Sequence, residues 1–213
     1  MTHYFTHQHI NFINLRQKYG PLKSLKLAIK LILILISIVL VITQNAWATK
    51  NIPVGPKIGD MAPVISVINN QNQTTTLNSL TGEKGLILVF FRSADWCPFC
   101  KKHLIALNES QPSFLSLGYG LAGISYDSIE VLNQFIQQHG IKYPLLADTQ
   151  AQTMAAYGIL NKAYKKGDDN YGIPYPGVVV INKKGKVIHK YFYEGYKNRV
   201  DFTELYEILT DKN

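Results

Sequence analysis

The chain has 213 residues, a formal charge of +8 and only two cysteines. Five of its cations (Arg16, Lys18, Lys23, Lys26, Lys30) precede residue 49, and the 165 residues after Ala48 carry 17 basic against 14 acidic side chains. A body so close to neutral, with its lysines dispersed, gives no footing for nucleic acid, and 165 residues suit one domain with its own core.

Residues 1–48 contain no acid; their basic positions lead into Leu31–Ile42, apolar except for Ser37, and then Thr43-Gln-Asn-Ala46-Trp47-Ala48. A basic leader, a short apolar core and an Ala-x-Ala end make a secretory signal peptide cleaved after Ala48. The run falls short of the roughly 20 residues a membrane span needs. The alternative is an uncleaved anchor, suggested by the unusual length of the leader. Either way the positive-inside bias holds the leader in the cytoplasm and exports the rest of the chain, to the periplasm or its membrane face. No cysteine stands near the cleavage point for lipid attachment.

Pro53 and Pro56 make 49–59 an extended lead-in to a domain over 60–213. Strands are predicted over Ala62–Ile68 and Thr74–Leu77, separated by a polar turn at 69–73. Gly85-Leu-Ile-Leu-Val-Phe-Phe91 reads as a strand buried on both faces. A helix begins at Cys97, turns Leu104, Ile105 and Leu107 inward, and is ended or kinked by Pro112. Next come a strand over Leu121–Tyr126 and a helix capped by Asp127 or Ser128, which carries Val131, Leu132, Phe135 and Ile136 and stops at Gly140. After these stand a short strand at Tyr143–Ala147, a helix at Thr149–Tyr157 and a polar loop at 161–170. Strands Val178–Ile181 and Lys186–Tyr193 flank the hairpin signal Asn182-Lys-Lys-Gly185, and Phe202, Leu205, Ile208 and Leu209 mark a closing helix. Alternation of this kind implies helices on both faces of a mixed sheet.

Both cysteines fall in Cys97-Pro98-Phe99-Cys100, between the buried strand and the helix it precedes. Cysteines three apart at a helix start share a face and can reach each other. The first lies among unpaired backbone N–H groups at the positive end of the helix, a setting that lowers a thiol pKa from about 8.5 into the range of roughly 3.5–7.5. The second can attack a mixed disulfide formed by the first, so the pair reads as a redox-active dithiol. Zinc would need further ligands, yet His103, His139 and His189 stand singly; c-type haem attachment needs histidine where Lys101 stands. A structural bridge closing so short a loop adds little stability.

Four separated segments resemble the thioredoxin fold in its AhpC/TSA (redoxin, peroxiredoxin-like) branch, over about 60–213. They are Ser93-Ala-Asp-Trp96-Cys-Pro-Phe-Cys-Lys-Lys102, Ala122-Gly-Ile-Ser-Tyr-Asp127-Ser, Tyr143-Pro-Leu-Leu-Ala-Asp148 with Ala156-Tyr-Gly-Ile159, and Gly172-Ile-Pro-Tyr-Pro176 running through to Gly185. The resemblance implies a three-layer α/β/α sandwich with a mixed central sheet, and no cofactor or metal beyond the Cys97–Cys100 pair. It also implies a cis-proline facing the dithiol, Pro176, with Pro174 as the competing choice. A cis Tyr175–Pro176 bond would leave a backbone edge for an extended substrate, with Trp96, Pro98 and Phe99 completing the contact surface. Thioredoxins carry a buried acid six residues before the first cysteine; Phe91 stands there, leaving proton transfer to water, Asp95 or Lys101. Peroxiredoxins place a hydroxyl residue three before, and a proline seven before, the peroxidatic cysteine; those positions hold Ala94 and Phe90, with Arg92 and Ser93 close by.

The leading expectation is an exported thiol–disulfide oxidoreductase exchanging with protein disulfides or small-thiol partners through Cys97 and Cys100. The alternative is a thiol-dependent peroxidase, with Cys97 peroxidatic, Cys100 resolving and peroxides as substrates. A third, non-enzymatic reading is a module that holds a protein through Trp96, Tyr175 and the 161–170 loop.

Overall fold

This computed structural model of the chain describes residues 25–35, 51–69 and 71–211. The chain divides into two compact units, Met1–Ala48 and Thr49–Asn213. In the first, residues 25–35 are helical, while the expected cleavage point after Ala48 and the end of the apolar run lie outside the described residues. Among the described residues no helix is long and apolar enough to cross a membrane.

Among the described residues the second unit holds seven strands, β1 (Val67–Ile68), β2 (Thr74–Thr75), β3 (Gly85–Phe90), β4 (Tyr119–Ser125), β5 (Leu145–Ala147), β6 (Gly177–Asn182) and β7 (Val187–Phe192). They form one sheet in the order β2-β1-β5-β4-β3-β6-β7. β3, β4 and β5 run parallel; β1, β2, β6 and β7 each pair antiparallel, so the sheet is mixed. Its helices are α1 (Leu77–Leu80), α2 (Pro98–Ser116), α3 (Ile129–His139), α4 (Gln152–Ala156) and α5 (Phe202–Thr210).

β3 shows why three layers form. Successive strand residues face opposite ways. Ile87, Val89 and Phe91 join a cluster with Leu104, Leu107 and Phe114 of α2, Leu132 and Phe135 of α3, and Leu205 and Leu209 of α5. Leu86, Leu88 and Phe90 join the opposite cluster with Met154 of α4, Tyr157, Ile65 and Phe192, on which Leu77 and Leu80 of α1 also pack. Leu86, Ile87, Leu88 and Val89 are fully buried, each worth about 1.5–3 kcal/mol relative to exposure. The expected sandwich is the observed one.

Several boundaries differ from the sequence reading, for local reasons. Ala62–Ile68 forms a strand only at Val67–Ile68, because the Ala62 N–H donates to the Gly185 carbonyl at 2.8 Å and the Ser66 N–H to the Thr153 hydroxyl at 3.0 Å. Thr74–Leu77 breaks after Thr75 because Thr76 caps α1 in a reciprocal capping box with Ser79. Pro112 does not end its helix: α2 runs on to Ser116. Buried Leu107 and Phe114 hold it on one side, while the Gln111 side chain donates to the Lys142 carbonyl at 2.9 Å and that of Asn108 to Gly140 at 3.1 Å. Ser128, not Asp127, caps α3, and Gly140 ends it with φ 59°. The Tyr143–Ala147 strand starts at Leu145, after the amide-less Pro144. The predicted Thr149–Tyr157 helix is shorter, α4, since Ala151 takes a left-handed φ of 55° and the Asp148 carboxylate accepts from the Met154 N–H at 2.9 Å.

Candidate active site

The chain leaves the sheet after Phe90 and reaches α2 through a turn fixed from the side of β4. The Ala94 N–H donates to the Asp127 carboxylate at 2.7 Å, and the Ser125 hydroxyl donates to the same oxygen at 2.9 Å. The Ser93 hydroxyl oxygen accepts from the N–H groups of Asp95 at 2.9 Å and Trp96 at 3.4 Å. Burial pushes the Asp127 carboxyl above the usual range, against the pull of hydrogen bonds from Ala94, Ser93 and Ser125. Asp127, expected as a possible helix cap, instead pins the turn that aims the dithiol.

Cys97 is itself the cap of α2, and its Sγ accepts from the Cys100 N–H at 3.3 Å. Pro98 takes the first helical position, where a missing amide costs nothing. Cys97 and Cys100 are joined as a disulfide with Cα atoms 5.2 Å apart. Both are buried, at 1 % and 0 % exposure. On reduction, Cys97 Sγ stands at the positive end of a 19-residue helix with an N–H already aimed at it, the arrangement that favours a thiolate.

The segment between β7 and α5 lies against this pair. Arg199 Nη2 donates to Cys100 Sγ at 3.4 Å, while Nη1 donates to the carbonyls of Tyr196 and Asn198, both at 2.7 Å. Burial, and then the charge of Arg92, lower the Arg199 guanidinium from its ordinary value to about 10, leaving it a cation at neutral pH. Arg92 stacks on Trp96, 4.7 Å from the ring centroid, and on Tyr196 at 5.0 Å. Tyr196 meets Phe99 edge-on at 5.9 Å, and Lys197 Nζ lies 5.8 Å from the Phe99 centroid. The Nε atoms of Arg92 and Arg199 are buried without a hydrogen-bond partner.

Of the residues expected at the site, Trp96 is 41 % exposed and donates its indole N–H to the Tyr126 hydroxyl at 3.1 Å. Pro98 and Asp95 are exposed, and Phe99 and Lys101 are half-buried. Tyr175 packs with the cluster on the opposite face of the sheet from the cysteines, and its N–H donates to the Ile159 carbonyl at 2.7 Å. Pro176 is buried just before Gly177, which pairs with Phe90 at the end of β3 from which the turn departs. The expected cis bond is absent: the Tyr175–Pro176 peptide is trans, as is that of Pro174. The bridge between Leu160 and Pro174 and the Tyr175–Ile159 bond bring the chain extended into β6. Phe91, where thioredoxins have an acid, is buried in the core.

Arg199, Tyr196 and the pinning role of Asp127 escaped the sequence reading. Their signal was thin: a basic–aromatic run, Tyr196-Lys-Asn-Arg199, in an interval assigned no element.

Residues 58–190 match the AhpC/TSA family. The chain is 26% identical over 146 residues to thiol-disulfide oxidoreductase ResA of Bacillus thuringiensis (strain Al Hakam), covering 68% of this chain and 75% of that protein. Peroxidoxin BcpB from Mycobacterium tuberculosis has a similar structure, with a TM-score of 0.65 at 20% identity over 74% of this chain and 98% of that one. Thiol peroxidase from Chromobacterium violaceum gives 0.63 at 20% identity, covering 77% and 92%. At these identities the two structures share the fold alone. With a family match spanning most of the sheet and the cysteine pair, on a thioredoxin fold, this chain belongs to the AhpC/TSA family.

Proposed function

We propose that the chain is an oxidoreductase working by thiol–disulfide exchange, with Cys97 as attacking thiolate and Cys100 as resolving thiol. The observation that carries this reading is the capping position of Cys97, its sulfur receiving the Cys100 N–H while bonded to Cys100. In the reduced protein the Cys97 thiolate attacks a partner disulfide, forming a Cys97–partner bond and expelling one partner thiolate, which takes a proton from water. Cys100 then attacks Cys97 Sγ, the Cys97–Cys100 bond forms, and the second partner thiolate leaves. The partner gains two electrons and the protein loses two; the same steps run in reverse.

Trp96, Pro98 and Phe99 surround the nucleophile as the surface a partner meets. Proton delivery falls to water, Asp95 or Lys101. The basic leader, apolar run and Ala-x-Ala end support export to the periplasm, where the pair needs a reductant to act as a donor. Incubation of Cys100→Ser with a reducible protein disulfide tests the reading. A trapped mixed disulfide, released by reductant and absent with Cys97→Ser, supports it; failure to trap with any disulfide overturns it.

A second reading, peroxide reduction by Cys97, is favoured by the two arginines beside the dithiol. Against it, the Ser93 hydroxyl is engaged with Asp127 and two backbone amides, and Ala94 offers no hydroxyl.

A further inference from the structure

We infer that Arg199 is a catalytic residue for the resolving step, its guanidinium holding Cys100 as a thiolate by direct N–H···S contact and replacing the acid that Phe91 displaces. The inference deepens the exchange reading and rests on it. Arg199 stands in the segment between β7 and α5, outside the residues 58–190 that match the family.

The two sulfurs are served by different donors. Cys97 Sγ receives the Cys100 N–H and sits at the helix start. Cys100 Sγ, fully buried one turn further on, receives Arg199 Nη2. The guanidinium is aimed by the backbone, since its other terminal nitrogen is held by two carbonyls. A disulfide sulfur is a weak acceptor, whereas a thiolate draws a charge-assisted bond roughly twice as strong. The contact therefore gains most of its strength when Cys100 ionises. The cation is otherwise poorly placed: it is partly desolvated, stands near Arg92, and has a buried Nε without a partner.

On the segment of Arg199 itself, Lys197 Nζ lies against the Phe99 and Tyr196 rings and Asp201 caps α5. On α2, burial and the Arg199 charge hold His103 down at about 4, so it is neutral at physiological pH, and Lys101 is half-buried. On the turn before α2, Arg92 stacks on Trp96 and Tyr196, and Asp95 is exposed. Beyond β4, Asp127 is bonded to Ala94, Ser93 and Ser125. In the resolving step the Cys100 thiolate, having lost its proton to water, attacks Cys97 Sγ. The Cys97–Cys100 bond forms, the Cys97–partner bond breaks, and the partner thiolate departs and is protonated.

The test uses the reduced full-length chain and dithiobis(nitrobenzoate), which releases one thionitrobenzoate when Cys97 attacks and a second when Cys100 resolves. Wild type, Arg199→Lys and Arg199→Gln are compared between about pH 5 and 9. In Arg199→Gln the pH midpoint of the second release rises by about one unit or more. At neutral pH that release slows at least about threefold, because a tenfold loss of thiolate is partly offset by the greater intrinsic nucleophilicity of a more basic sulfur. The pH midpoint of the first release stays at its wild-type position, and Arg199→Lys falls between wild type and Arg199→Gln. A residue that merely braced the 196–199 turn would leave Lys and Gln alike, since both lose the two-carbonyl grip. Identical second-release midpoints in wild type and variants overturn the inference and leave the exchange reading standing; no second release in wild type takes both down. Should Arg199→Gln fail to fold, the midpoint of Arg199→Lys against wild type decides, and equality overturns the inference.

Discussion

Acidification should destabilise the oxidised protein through one buried side chain, His103. Its ring is 7 % exposed, stacks on Phe202 at 4.4 Å, and donates Nε2–H to the Val200 carbonyl at 3.1 Å. Burial first, and the Arg199 charge second, lower its pKa from 6.5 to about 4, against the pull of the Val200 bond. Between those values the unfolded chain takes up a proton that the folded chain refuses, so stability is fully present above about pH 6.5 and drains as pH falls toward 4. Two and a half units at 1.36 kcal/mol each amount to about 3 kcal/mol. Asp127 and Asp148, whose carboxyls burial raises, act in the opposite direction as pH falls. The raw curve is therefore composite, and the difference between wild type and His103→Gln isolates the histidine, since glutamine retains a donor for Val200. Urea unfolding at several pH values from about 7 to 4 measures it. The stability of wild type relative to His103→Gln should drop by about 3 kcal/mol across that window. A difference constant to within about 0.5 kcal/mol would refute the argument.

Asp127→Ala leaves the Ala94 N–H buried without its acceptor; a loss of about 2–3 kcal/mol in urea unfolding is expected, with slower first release of thionitrobenzoate as the turn before Cys97 loosens. Pro112→Ala restores an amide that can donate to the Asn108 carbonyl inside α2 and should stabilise by about 1 kcal/mol or more in the same assay. Tyr196→Ala removes the ring lying on Arg92 and Phe99 beside a disulfide only 1 % exposed at Cys97; reduction by dithiothreitol should speed up about threefold or more, and an unchanged rate would mean that this ring does not limit access.

The features legible in the sequence were local. The apolar run 85–90, the stop at Gly140 and the hairpin at 182–185 are each set by neighbouring residues. So is the capping of α2 by Cys97, which made the chemistry readable from four residues. The features that escaped depend on distant partners. Asp127 read as a helix cap because its acceptor role joins it to Ala94, 33 positions earlier. Arg199 carried no motif because it meets Cys100 across 99 residues. The ending of α2 at Pro112 and the cis bond at Pro176 depend on distant partners too: tertiary contacts from Lys142 and Gly140 carry α2 past the first proline, and the bridge between Leu160 and Pro174 fixes the chain entering the second.

Disulfide exchange at Cys97 is the central claim, and stopped-flow fluorescence tests it most directly. The reduced full-length chain carrying Trp47→Phe leaves Trp96 as sole reporter beside the nucleophile. It is mixed separately with a protein disulfide and with hydrogen peroxide. Rapid quenching with the disulfide, lost in Cys97→Ser, alongside peroxide oxidation no faster than that of a small dithiol of matched thiol pKa, is the predicted result. Peroxide oxidation far faster than that dithiol, with sluggish disulfide exchange, would make the chain a peroxidase and contradict the central claim.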